Sequence, residues 1–98
     1  MTEIKIFERA GSFAQNKDVG REIRTQEILP LLERGEHIIL NFEKVDTATQ
    51  SFIHSLISEP LRRYKDALER MTFKSCNETI KKLIGIVVDY IQDAVDRA

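Results

Sequence analysis

Apolar and polar residues alternate from Thr2 to Phe7, with Ile4 and Ile6 on one face and Glu3, Lys5 and Phe7 on the other. That is the period of a strand with one buried face. Gly11-Ser12-Phe13-Ala14 then joins a glycine turn to a short, weakly apolar run, which reads as a hairpin arm returning on the first strand. Asp18 offers a helix cap, and Val19, Ile23, Ile28, Leu29 and Leu32 form an apolar stripe ending near Gly35. Pro30 interrupts the stripe. A proline removes one helical hydrogen bond and clashes with the preceding turn, at ~3 kcal/mol, so a kink or stop is expected near Leu29.

His37 to Phe42 is a nearly continuous apolar run after a glycine, the pattern of a central strand covered on both faces. A turn over Glu43 to Asp46 follows, then Phe52, Ile53, Leu56 and Ile57 recur at helical spacing. Pro60 lies just beyond, with Ser58 as a new cap and Leu61, Tyr64 and Leu68 continuing the stripe, which predicts two helical pieces meeting at Pro60. Met71 to Lys74 alternates again as a short strand. Asn77 caps a last helix whose apolar face runs through Ile80, Leu83, Ile84, Val87, Val88, Ile91 and Val95. Strands alternating with helices predict an α/β layered domain, a mixed and mostly parallel sheet of about four strands flanked by helices.

Composition changes this picture little. At 98 residues, with 42% hydrophobic and 32% charged side chains, the chain suits one globular domain spanning residues 1–98. Charge matters more. Fifteen basic against sixteen acidic residues give −1, which offers no general field for nucleic acid. No run approaches the ~18 apolar residues of a membrane span, and the start has no basic segment leading into an apolar one, so no membrane partner and a cytoplasmic location are expected. The single cysteine, Cys76, forms no internal disulfide and completes no metal spacing with His37 or His54. No metal or cofactor is expected.

Candidate chemistry collects around the start of the second helix. Thr47, Thr49, Ser51 and Ser55 surround a helix N-terminus, where free N–H groups favour an anion such as a phosphoryl group. The plainer account is that Thr47 or Thr49 caps the helix. His54 follows Ser51 by three residues, close enough on one helix face for a hydroxyl–imidazole pair, although no oxyanion loop accompanies them. His37 has no evident partner. Cys76 stands at a strand-to-helix junction, where a helix end lowers a thiol pKa, but a small buried apolar residue at the end of a strand explains it without a second cysteine. Arg62, Arg63, Lys65, Lys81 and Lys82 read as solvated helix faces.

The succession Ile38-Ile39-Leu40-Asn41-Phe42-Glu43-Lys44-Val45, Thr49-Gln50-Ser51-Phe52, Glu59-Pro60-Leu61 and Phe73 through Ile84 resembles the STAS-like family of uncharacterised bacterial domains. These are related to the STAS domains of sulfate transporters and anti-sigma factor antagonists. The resemblance runs from about Gly11 to Ile91 and implies a non-catalytic regulatory module that binds another protein, such as a kinase-like ATPase or a regulatory factor. In the antagonists, a serine within Asp-Ser-Ser-Gly is phosphorylated by the partner kinase. Thr49-Gln50-Ser51-Phe52 stands in that place here, and Phe52 in place of glycine is expected to hold Ser51 partly buried. The candidate contact or switch surface is therefore Asp46, Thr47, Thr49, Ser51, His54 and Ser55. Two other classes of function remain open: a small hydrolase with Ser51 as nucleophile and His54 as base, and a structural subunit that docks its last helix, Ile80 to Val95, on a second copy or a larger chain.

Overall fold

The computed structural model describes the backbone of residues 1–97 and the side chains of residues 1–94. Val95, assigned above to the last apolar stripe, lies outside the side chains described. Strand β1 (Thr2–Lys5) is followed by a single helical turn, α1 (Ile6–Ala10). The alternation predicted a strand through Phe7. Its partner strand β3 (Ile38–Asn41) offers only four residues, with Lys5 opposite Asn41, so beyond Lys5 the backbone has no ladder to join. It satisfies itself instead by turning, and the Gly11 N–H donates to the Phe7 carbonyl at 2.9 Å. Ile6 stays fully buried in that turn.

Strands β1, β3 and β5 (Met71–Lys74) form a parallel sheet in the order β1-β3-β5, while β2 (Phe13–Ala14) and β4 (Thr47–Ala48) form a second, two-stranded parallel ladder. The α/β layered class is as expected. The hairpin expected at Gly11 to Ala14 is not present, because α1 carries the chain away from β1 and Phe13 pairs instead with Thr47.

The helix expected from Asp18 onward is continuous but changes its winding. Helix α2 (Lys17–Ile23) passes through a π-helical turn over Arg24–Ile28 into α3 (Leu29–Glu33). Its cap is Asn16 rather than Asp18: the Asn16 carboxamide oxygen accepts from the backbone N–H groups of Asp18 and Val19. Asp18 sits in the first turn, where its charge still favours the positive helix end. Widening to a π turn directly ahead of Pro30 accommodates the missing donor without ending the helix, and the change of winding falls at Ile28 and Leu29. Gly35, at φ 79°, then closes α3: its own N–H bonds the Leu32 carbonyl and the Glu36 N–H bonds that of Leu31.

Helix α4 (Gln50–Arg63) runs unbroken through Pro60. The break expected there does not occur, because the proline lies one turn from the helix end and, with Ile57 and Leu61, is buried. Burial of that face offsets one lost hydrogen bond. Ser58 is buried within the helix and caps nothing. Tyr64 follows at the helix end, and Leu68 lies exposed beyond it.

Helix α5 (Glu78–Arg97) begins as expected. The Ile80 N–H donates to Asn77 Oδ1 at 2.8 Å, and Asn77 Nδ2 donates to the Asp46 carbonyl at 2.8 Å, so one side chain caps the helix and ties it to the turn after β3. Asn77→Ala is expected to lower stability by ~1–2 kcal/mol, read as a lower melting temperature, since the cap and a loop anchor go together.

One face of the sheet packs Ile4, Ile38, Leu40 and Met71 into the core with Phe42, Phe52, Ile53 and Ile80. The other face differs from the doubly covered strand expected above. Glu3, Lys5, Thr72 and Lys74 are exposed on it and Ile39 is half-buried. Asn41 donates to the Glu3 carboxylate at 3.1 Å, and Lys74 lies 3.3 Å from the same oxygen. The Lys74 ammonium first, and the Asn41 amide with it, hold the Glu3 carboxyl below its ordinary value against a smaller opposing effect of desolvation. His37, on the same face, has a partner after all, with its Nε2 3.0 Å from the Thr72 hydroxyl.

Candidate functional site

The chain enters α4 through a stapled connection. Lys44 takes a left-handed conformation at φ 71°, the Val45 N–H closes a turn on the Phe42 carbonyl, and both Asp46 and Thr47 donate backbone N–H groups to the Ser12 carbonyl. With Asn77 holding the Asp46 carbonyl from the other side, the approach to α4 is fixed by two separate elements. The Asp46 side chain remains exposed, and Thr47 is half-buried in β4.

The four hydroxyls then part company. Thr49 Oγ1 accepts the Phe52 N–H at 3.1 Å and is the helix cap. Ser55 Oγ donates to the Phe52 carbonyl at 2.6 Å and faces Gly20 on α2. Thr47 belongs to the β4 ladder. Of the four, Ser51 alone stands on the first turn of α4 with its side chain exposed, although its neighbour Phe52 is fully buried. The expectation that Phe52 would hold Ser51 partly buried is thus reversed.

Ser51 and His54 line one groove of about 570 Å³, walled by α2 and the π turn on one side and by α5 on the other. Among the described residues no hydrogen bond joins their side chains, and none orients the imidazole. Lys17 and Arg24 contribute the α2 side of this groove. The Arg24 guanidinium donates to the Ser55 carbonyl at 3.1 Å and lies 3.6 Å from Glu59, which joins the π turn to α4. Ile86 and Tyr90 form the α5 side, both strongly exposed. Of the six candidates, the structure places Ser51, His54 and Ser55 along the groove, while Asp46, Thr47 and Thr49 build the connection leading to it.

Lys17, Arg24, Ile86 and Tyr90 were not singled out from the sequence. A signal for the last two existed. They are four residues apart and fall outside the stripe of Ile80, Ile84, Val87 and Ile91 that fills the core. Lys17 and Arg24 lie more than twenty residues away from α4 in sequence, and only the packing of α2 against α4 brings them there.

Cys76 is half-buried against the core beside Lys81, and burial pushes its thiol up while the Lys81 charge pulls weakly the other way. A group shifted in this direction holds less thiolate at neutral pH. Among the described residues no cluster of three histidine, cysteine, aspartate or glutamate side chains is placed to hold a metal ion, and no helix is long and apolar enough to cross a membrane. Arg62, Arg63, Lys65, Lys81 and Lys82 are exposed, with Arg63 paired to Glu59 and Lys81 lying 3.7 Å from Glu78.

A family model described as a STAS-like domain of unknown function matches residues 19–81. The matched stretch includes most of α2, all of α4 and the start of α5, and stops short of Ile86 and Tyr90. No curated protein and no solved structure shows a significant match to the chain.

Proposed function

Since the chain belongs to the family of STAS-like domains of unknown function, we propose that it is a regulatory module that works by binding another protein. The observation that carries this reading is the groove itself. An accessible serine on the first turn of α4 opens onto a hollow whose far wall presents two large apolar side chains to solvent. Exposed apolar surface beside convergent polar groups is the usual composition of a docking site. The site also suits a switch. A phosphate at Ser51 would add about −2 charge at the mouth of the groove without disturbing the core, because the side chain already points outward. A partner of the kinase-like ATPase class fits that arrangement, as the resemblance to the antagonists implies.

The test is affinity capture of a partner from the native host, followed by calorimetric titration of that partner with wild type, Ser51→Ala, Ser51→Asp and Lys74→Ala. Ser51→Asp is expected to weaken binding at least tenfold. Lys74→Ala, on the open face of the sheet, is expected to leave it unchanged. Equal affinity for all four proteins overturns the reading. So does ester or phosphoester turnover that disappears in both Ser51→Ala and His54→Ala, because the groove would then be a catalytic site.

A further inference from the structure

Charge in the groove is one-sided. Among the described residues no aspartate or glutamate lines it, although the chain carries sixteen acidic and fifteen basic side chains. Arg24 is partly offset by Glu59 at 3.6 Å, but Lys17 makes no ion pair among the described residues. The positive end of the α4 dipole opens toward the same space. Facing these cations across the groove are Ile86, 47% exposed, and Tyr90, 65% exposed. An unpaired cation opposite an apolar wall specifies its complement: a carboxylate beside an aliphatic or aromatic side chain.

We propose that the groove takes an acidic segment of another protein, which seats an apolar side chain against Ile86 and Tyr90 and sets a carboxylate against Lys17. This rests on the reading of the groove as a docking face and adds the chemistry of what docks. A basic segment meets Lys17, Arg24 and the helix end with no counter-charge in the lining, and like-charge juxtaposition is costly. The same arrangement gives a phosphate on Ser51 a definite sign, since it would take the cationic side for itself and repel an acidic occupant. A volume of about 570 Å³ lies in the range that holds a drug-sized ligand, enough for a few side chains, which makes the contact an anchor within a larger interface.

The experiment uses a random ten-residue peptide library displayed on phage, selected on the immobilised chain and counter-selected on Tyr90→Ser. The selected pool is expected to be enriched in Asp and Glu flanking a Leu, Ile, Phe or Trp. Individual peptides from it should lose at least tenfold in affinity on Lys17→Glu and bind more weakly as salt rises. Lys17 is exposed on the first turn of α2, where an acidic residue suits the helix, so Lys17→Glu should melt as wild type does. A pool rich in Lys and Arg, a pool no different from the input, or binding indifferent to Lys17→Glu overturns the proposal. A dimer in sedimentation that dissociates on Tyr90→Ser also overturns it, since the occupant would then be a second copy. If the captured host partner still responds to Ser51→Asp while the peptides fail, the docking face stands and only the acidic occupant falls.

Discussion

Replacing Leu40 by aspartate is expected to leave a chain with no cooperative melting transition. Leu40 is the middle of the central strand, with no exposed surface, and packs in the same cluster as Ile4, Phe52 and Ile80. Removing its side chain forfeits roughly 1.5–3 kcal/mol of burial. The larger cost comes from the carboxylate, which in an apolar site must either take up a proton or remain charged without a partner, at several kcal/mol in either case. Folding stability for a domain of this size is about 5–15 kcal/mol, so one such group consumes most or all of it. The neighbouring position supplies the control. Ile39 faces the open side of the same strand and is half-buried, so Ile39→Asp should remain folded and lose only ~1–2 kcal/mol. Circular dichroism melts of the two variants decide the matter. A cooperative transition for Leu40→Asp, or loss of folding for both, would contradict a sheet buried on one face only.

That contrast also marks what the sequence could and could not convey. The run Ile38-Ile39-Leu40-Asn41-Phe42 identifies the central strand, but a continuous apolar run looks the same whether one face or two are covered. Ile39 is only half-buried where Ile38 and Leu40 are fully buried, and periodicity does not register that difference. Asn77 was legible because a cap is a local device, decided within three residues. Asn16 and Asp18 are both good caps two residues apart, and only the geometry of the turn chooses Asn16. The prolines misled in opposite ways. Pro30 does mark a change in the helix, absorbed by a π turn, whereas Pro60 marks none because packing outweighs the lost bond. The site was legible to the same extent: Ser51 and His54 belong to one local stretch, while Lys17, Arg24, Ile86 and Tyr90 reach the groove only through tertiary packing.

The closeness of that packing makes Gly20 the second position where a large effect is expected. Glycine inside a helix ordinarily costs ~1 kcal/mol relative to alanine, so adding a side chain would normally stabilise α2. Here a Cβ on Gly20 would lie 2.0 Å from Ser55 Oγ, 3.2 Å from the Phe52 carbonyl oxygen and 3.3 Å from Ser55 Cβ. The hydroxyl can rotate away, giving up its bond to the Phe52 carbonyl, but the other two contacts involve the backbone and Cβ of α4 and yield only if the helices separate. Gly20→Ala should therefore gain nothing, with propensity and crowding nearly cancelling. Gly20→Val adds two methyl groups against the same wall, and overpacking then dominates, at about 3 kcal/mol of lost stability. Because the clash lies against Ser55, the Ser55→Gly background should return a large part of the loss, whereas a remote change such as Asn77→Ala should simply add to it. Denaturant titration of the single and double variants measures both effects. Additive losses for Gly20→Val with Ser55→Gly would show that the two helices do not meet at these residues, and the α2 wall of the groove would have to be placed elsewhere.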